Sequence, residues 1–284
     1  MSIGVIGGSG LYDLPGLTAV EEVRLGSPYG EPSGPLMAGT LAGRRVVFLS
    51  RHGRGHTLSP AEVPARANIH ALKSVGVRQI VSVSAVGSLR EELAPGDVVV
   101  PDQIVDRTRG TRASTFFGGG VVAHVSFADP FCARLRPLLA EAARSAGART
   151  HDTGTYCCVE GPQFSTRAES DLYRSWGMDV IGMTALPEAK LAREAELCYV
   201  GLALVTDYDC WRRDDPGTVS AHAVADVMRR NVDLAREAVV RLVERLPDDF
   251  TCPCQEALGD AVMTGPEVAV PGHARWLLRK ETRV

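Results

Sequence analysis

Two carboxylates two residues apart, Asp207 and Asp209, stand just past the apolar run 202–205. Such a pair invites acid–base chemistry, because burial and a neighbouring like charge both raise a carboxyl pKa toward neutrality. The same spacing also suits a turn in which one aspartate caps and the other faces water. Upstream, three donor-rich loops each follow an apolar run. Gly7-Gly8-Ser9-Gly10 combines tight-turning glycines with a hydroxyl, an arrangement that suits an anion and equally a plain turn. It is not G-x-G-x-x-G and has no P-loop lysine, so neither dinucleotide nor triphosphate binding follows. Ser50-Arg51-His52-Gly53 offers a planar fork of donors with an imidazole beside it. The segment Ser82-Val83-Ser84-Ala85-Val86-Gly87-Ser88 ends its run in small residues that expose hydroxyl and amide groups. Gly182-Met183-Thr184 adds a further hydroxyl, and Phe164 in Glu160-Gly161-Pro162-Gln163-Phe164-Ser165 stands where an aromatic could stack on a planar ligand. Together the loops suit a phosphate-sized anion better than a metal. Of the seven histidines only His52 and His56 have H-x-x-x-H spacing, in a glycine-rich loop without an adjacent carboxylate, so no metal is expected.

Those loops need a scaffold that brings their ends together. Short β-branched runs at 3–6, 45–49, 79–83, 97–100, 179–183 and 198–205 read as strands, several of them apolar on consecutive residues, as strands buried on both faces are. Between them lie helical patterns at 64–75, 130–146, 166–176 and 187–196. Pro64 and Pro187 suit a first helical turn, and Thr166 with Glu169 has capping-box spacing. The long pattern 221–246 carries Val224, Val227, Met228, Ala235, Ala238, Val239, Leu242 and Leu246 on one stripe. The reading is a single-domain α/β fold with a mixed sheet and helices on both faces. A catalytic domain over 1–247 is followed by an extension, 248–284, too short to bury a core of its own and so packed on the main domain or a neighbouring subunit. Open α/β sheets bind ligands beyond the carboxyl ends of their strands, where these loops would converge.

Composition removes whole classes. Lys plus Arg total 31 against 34 Asp plus Glu, a net charge of −3, so no basic face for nucleic acid is expected. No stretch approaches the roughly 20 apolar residues that span a bilayer, and the opening MSIGVIGGSG lacks the regions of a signal peptide. A cytoplasmic protein is expected, in keeping with seven cysteines, an odd number that cannot all pair internally.

Taken in order, the segments IGGSGLYD, SRHGRGHTLSP, ANIHALK, GSLREELAPGDVV, DQIVDRT, ADPFC, EGPQFSTRAES, MTALPEAKLARE and TDYDCW resemble the 5′-methylthioadenosine phosphorylase branch of the purine nucleoside phosphorylase family. The resemblance runs from about residue 3 to 246. It implies the type I nucleoside phosphorylase fold, a homotrimer or a hexamer of paired trimers, and no cofactor. The reaction would be cleavage of a nucleoside by inorganic phosphate, a co-substrate, to a base and a ribose 1-phosphate. By that resemblance Ser9, Arg51, His52, Ser84, Ala85 (through its backbone) and Thr184 would hold phosphate. Met183 would line the ribose, Phe164 and Ser165 would border the base, and Asp207 and Asp209 would face the purine. His124 would close the 5′ pocket of a neighbouring subunit, with Ala221 and Val224 beside the 5′ group.

Asp at both 207 and 209 favours a 6-aminopurine, whose amino group a carboxylate accepts. A 6-oxopurine or methylthioinosine phosphorylase is the nearest alternative, a hydrolytic nucleosidase a different reaction class, and a non-catalytic purine-binding protein a third. Two positions depart from the pattern. Gly182 stands where the eukaryotic enzymes usually carry asparagine, and Ala221, Val224 and Ala225 stand where larger aliphatics often line the pocket, with His222 among them. Cys132, Cys157, Cys158, Cys198 and Cys210 read as small buried hydrophobes. Cys252-Pro253-Cys254 resembles the tails of some archaeal relatives, where redox pairing is implied; in a reducing compartment two free thiols are expected.

Overall fold

The computed structural model describes residues 2–12, 14–212, 221–265 and 267–278; at Ser9, Tyr12, 221–226 and 228–230 it describes the backbone alone. The elements run β1 (Ser2–Gly7), β2 (Thr18–Val23), β3 (Leu36–Leu41), β4 (Arg44–Ser50), α1 (Ala65–Ser74), β5 (Val77–Ser88), β6 (Val98–Val99), β7 (Gln103–Arg107), α2 (Leu135–Ser145), β8 (Thr150–His151), β9 (Thr155–Val159), α3 (Arg167–Ser175), β10 (Val180–Gly182), α4 (Ala185–Glu194), β11 (Cys198–Asp207), α5 (Ala221–Arg245) and α6 (Arg275–Leu278). Among the described residues the strands form one mixed sheet in the order β2-β3-β4-β1-β5-β10-β9-β7, with β11 on the far side of β5 and carrying β6 and then β8.

Consecutive apolar residues in the central strands are explained by what covers each face. Val200, Leu202 and Leu204 of β11 pack with α2 and α5, whereas Tyr199, Ala203 and Val205 pack with α1 and α4. Val46 and Phe48 likewise go to one side and Val47 and Leu49 to the other. A strand buried on both faces needs no polar alternation. Among the described residues no helix is long and apolar enough to cross a membrane.

The expected capping box forms: Thr166 accepts from the Glu169 N–H while the Glu169 carboxylate accepts from the Thr166 N–H. Pro187 forces Leu186 out of helical geometry (φ −115°, ψ 140°), so the regular part of α4 starts at the proline. Other expectations need correction. The helix expected from residue 130 starts at Leu135, because Phe131 is a buried core residue and the Cys132 N–H bonds the Tyr199 carbonyl before the helix begins. The strand expected over 97–100 shrinks to Val98–Val99. The hairpin β2–β3 and strands β7 and β9 carry no expectation from the sequence. Strand β2 is a largely exposed edge containing Glu21 and Glu22, so it lacks the apolar signature of a buried strand.

The C-terminal segment lies on its own core. Cys252 and Cys254 join the cluster around α2 and α5, and Leu258, Ala261 and Ala274 pack with Phe117 and Val121. Ala123 bridges Val262, and the His124 N–H donates to the Ala261 carbonyl at 2.8 Å. Trp276 stacks edge-on against Phe116, its ring centroid 5.1 Å away, and its indole N–H donates to the Tyr29 hydroxyl.

Candidate active site

The site begins as a break in strand pairing. Strand β1 pairs with β5 only as far as Ile6 opposite Ser82, and on that same edge β10 pairs with Gly87 and Ser88. Residues 83–86 of β5 lack a neighbour there among the described residues, and Ser84 and Ala85 sit in this gap. Gly7 and Ser50 end β1 and β4 in register beside it. On the other edge β11 runs in parallel past Ser84 and Ala85 to Asp207. The expected loops therefore do converge at one end of the sheet.

Arg51 lies behind the gap, 3% exposed. Its Nε donates to Glu188 Oε1 at 2.5 Å and its Nη2 to Glu188 Oε2 at 3.2 Å, so the fork is filled by a carboxylate. Nη2 also meets Ser82 Oγ at 2.7 Å, and Nη1 reaches the Val83 carbonyl at 3.0 Å, on the edge that β1 leaves unpaired. Ser82 and Tyr199 hydroxyls donate to the same Glu188. Burial works against the Arg51 charge, and Glu188 outweighs it. In this arrangement one Nη1 hydrogen remains for an anion, not the bidentate fork expected from the residue type.

His52 presents a second departure. Its Nδ1 lies 2.8 Å from the Leu58 carbonyl and its ring stacks on His56, centroids 4.3 Å apart. Burial, with the Arg51 charge beside it, pushes its pKa down to about 4. A neutral ring with its proton on Nδ1 presents a lone pair at Nε2, so His52 accepts a hydrogen from an incoming ligand unless that ligand's charge protonates it.

Thr184 lies at the junction of β10 and α4 with its Oγ1 buried and unpartnered among the described residues. The Tyr156 hydroxyl from β9 is equally buried and unpartnered. Burial pushes the Tyr156 phenol up to about 12, and the Thr184 and Ser84 hydroxyls beside it pull the other way. Gly182 is what admits this phenol: any side chain there would collide with the Tyr156 ring and hydroxyl. Three hydroxyls thus gather at the gap, two of them without a protein partner. Buried polar groups in that condition are costly, and a polar ligand is one way to satisfy them.

On the opposite edge, β11 and β5 slip register between Val205 and Asp207, leaving Thr206 as an extra residue. A bulge of this kind re-aims the side chains that follow it. Asp207 Oδ2 accepts from Thr206 Oγ1 at 2.7 Å, and Oδ1 accepts from the Asp209 N–H at 2.8 Å. Asp209 takes a left-handed conformation, φ 50°, to close this turn. Asp207 therefore caps a turn, yet Asp209 is buried instead of solvated. Burial raises the pKa of both; for Asp209, burial with the Asp207 charge takes it to about 6. Gly87 lies against the pair: a Cβ there would sit 3.0 Å from Asp207 Oδ1.

Of the remaining expected residues, Met183 packs over Gly161, which ties the ribose candidate to the turn carrying Phe164 and Ser165. Phe164 is 43% exposed, free to stack on a planar group. His124 lies exposed on the segment bridged to the C-terminal tail, with no hydrogen bond or ion pair to the carboxylates of its own chain among the described residues. The side chains of Ser9, Ala221, Val224, His222 and Ala225 lie outside what the structure describes.

The Phosphorylase superfamily sequence pattern matches residues 2–244. This chain belongs to that superfamily. It is 56% identical over 266 residues to an S-methyl-5′-thioadenosine phosphorylase of Koribacter versatilis, covering 94% of this chain and 90% of the relative. It is 54% identical to the protein of the same name from Geobacter sulfurreducens, covering 96% and 95%. A crystal structure of a methylthioadenosine phosphorylase from an antarctic soil metagenomic library superimposes with a TM-score of 0.92 at 48% identity, over 98% of each chain. One from Schistosoma mansoni in complex with adenine gives 0.81 at 38%, over 86% and 91%.

Three residues of this superfamily member's site escape sequence reasoning. Glu188 looks like any helical surface glutamate until the fold buries it on Arg51. Tyr156 belongs to a strand that the sequence pattern does not reveal. Arg112 clamps the loop ends: it pairs with Glu160 at 2.7 Å and donates to the carbonyls of Met183 and Leu186 at 2.6 and 2.8 Å. Nothing in the residue order marks any of the three, because each is defined by a contact between distant segments.

Proposed function

We propose that the protein cleaves the N-glycosidic bond of 5′-methylthioadenosine with inorganic phosphate, giving adenine and 5-methylthioribose 1-phosphate. The observation that carries this reading is the buried carboxylate pair at the end of β11, both pKa values raised by burial, set on the edge of β5 opposite the gathered hydroxyls. Full-length relatives named for that activity support it.

Breaking the bond between C1′ and N9 places positive charge on the ribose and negative charge on the base. Phosphate held at the gap by Ser84, Thr184, the Ala85 backbone, the remaining Arg51 N–H and Ser9 would stand against the developing cation. Fixed opposite charge in that position stabilises the transition state more than any other device open to the site. Holding phosphate there also removes the entropy of a bimolecular encounter. Asp207 protonated at binding would donate to N7, so that the base leaves neutral. An ionised Asp209 would accept from the 6-amino group. The Tyr156 hydroxyl joins the donors beside Thr184. No cofactor enters this scheme.

Assays of methylthioadenosine, inosine and methylthioinosine, each with and without phosphate, test the reading. Turnover should require phosphate and favour methylthioadenosine, and Asp207→Asn should lower kcat/KM for it by about 100-fold or more. Equal use of the oxopurines, or cleavage without phosphate, would overturn it.

The exposed Val122 and Met263 flank His124 on the bridged tail segment, an apolar surface suited to another copy of the chain. That surface supports the proposed homotrimer, in which His124 would lie over a neighbour's 5′ group; light scattering that gives a monomer would refute it. A cytoplasmic, reducing setting suits seven cysteines of which none is in a disulfide among the described residues.

A further inference from the structure

The largest unexplained cluster of reactive side chains lies at the other end of β11. Cys198 opens that strand and Asp207 closes it, so the two ends are about 30 Å apart at the usual rise per residue. Around Cys198 gather Cys132, from the loop before α2, and Cys252 and Cys254 from the tail. All four sulfurs lie within 4.8 Å of one another, all four residues are buried, and all are free thiols.

We propose that Cys132, Cys198, Cys252 and Cys254 form a structural zinc site that pins the C-terminal tail to the catalytic core. A tetrahedral zinc ion with Zn–S bonds of about 2.3 Å sets its ligand sulfurs about 3.8 Å apart, within the spacing found here. Each sulfur has three others close by, the arrangement an ion requires. Disulfides would instead draw the sulfurs into two pairs, and Cys132 and Cys252, at 3.4 Å, share a hydrogen-bond contact and not a bond.

The surroundings suit a closed, dry, anionic centre. The apolar side chains of Leu135, Leu139, Val200 and Phe250 belong to the same cluster and exclude water. Four thiolates around a divalent ion leave a charge of −2, and the fold supplies positive potential to meet it. The Leu135 N–H donates to Cys132 Sγ at 3.3 Å, and α2 starts at that residue, aiming the positive end of its dipole at the sulfurs. Arg134 bonds the carbonyl of Thr251, next to Cys252. With four protein ligands there is no open position, which makes the ion structural and not catalytic.

The consequence runs through the tail. Beyond Cys254 the chain bonds back to the segment bearing His124, through Ala123 with Val262 and through the Met263 N–H to the Val122 carbonyl. The ion would therefore fix one end of the strap that holds that segment. The proposal departs from the expectation of no metal because the four cysteines come from three distant regions and only Cys252-Pro253-Cys254 forms a recognisable pair in the sequence.

The full chain, purified without metal-affinity chromatography, tests the proposal. Elemental analysis should find one zinc per chain, and cobalt exchange should give the visible absorption of a tetrahedral thiolate site. Cys254→Ser should lower zinc content at least about tenfold while Cys210→Ser, outside the cluster, retains it. Zinc removal should lower Tm by about 5 °C or more and raise hydrogen exchange in 121–125. A zinc-free protein with seven titratable thiols, disulfides mapped among the four cysteines, or iron in place of zinc would each overturn it.

Discussion

The two edges of β5 carry opposite residue types, and on each the fold works against the charge that those types suggest. On the side of β1 and β4 stand an arginine and two histidines, yet Arg51 is neutralised by Glu188 and His52 is held neutral by burial. On the side of β11 stand two aspartates with no ion pair among the described residues, and burial pushes both toward the protonated form. Neither side presents the full charge its residue types suggest. One cancels a cation with a fixed anion, which makes for a rigid network; the other raises the pKa of its carboxyls by burial, which makes them easier to protonate. Pairing gives a scaffold, whereas protonation gives an acid.

That contrast predicts unequal responses to substitution. Glu188→Gln removes the partner and leaves Arg51 charged in an apolar setting, with an expected loss of about 3–5 kcal/mol in urea unfolding. A variant of wild-type stability whose only defect is phosphate affinity would show that the pair belongs to ligand binding, and the comparison would fail on that side. For the aspartates, the sign follows from linkage. Asp209 has a folded-state pKa of about 6 against 3.8, so between those values the folded protein holds a proton that the unfolded chain has lost. Its contribution therefore falls as pH rises through that window, by an amount on the order of 2–3 kcal/mol. His52 runs the other way: with its folded pKa lowered to about 4 from 6.5, it costs stability as pH falls below 6.5. Unfolding of Asp209→Asn at several pH values should lose the first trend and keep the second. If both trends survive, the carboxylate is not held by burial.

The smallest expected effect is the most discriminating. Tyr156→Phe deletes a buried hydroxyl that has no protein partner. Stability should be unchanged or slightly raised, while the KM for phosphate rises about 5–10-fold, as for the loss of one hydrogen bond. A fall in Tm with unchanged KM would assign the tyrosine to packing alone.

Much of the molecule is legible from residue order. The central strands announce themselves because burial on both faces demands unbroken apolar runs, and the capping box because its two polar side chains answer specific orphan donors. The donor loops are legible as a set because each follows a strand. What stays hidden depends on pairing between distant segments. Edge strand β2 mixes charge into its sequence, and β9 offers only five residues. The Glu188 partner of Arg51 lies 137 residues away. The bulge at Thr206 leaves no composition signal, though it decides where Asp207 points.

The position of the site follows from where β1 stops and β10 starts along β5. It is thus a matter of chain length before it is one of side chains. Under the proposed function, point changes at Ser84, Thr184 or Asp207 would alter how well a ligand is held. Extra residues that extended β1 in register would stitch the ladder shut over residues 83–86 and abolish the opening, whatever side chains lined it. Variation at this place is therefore tolerant of substitution in degree and intolerant of insertion in kind.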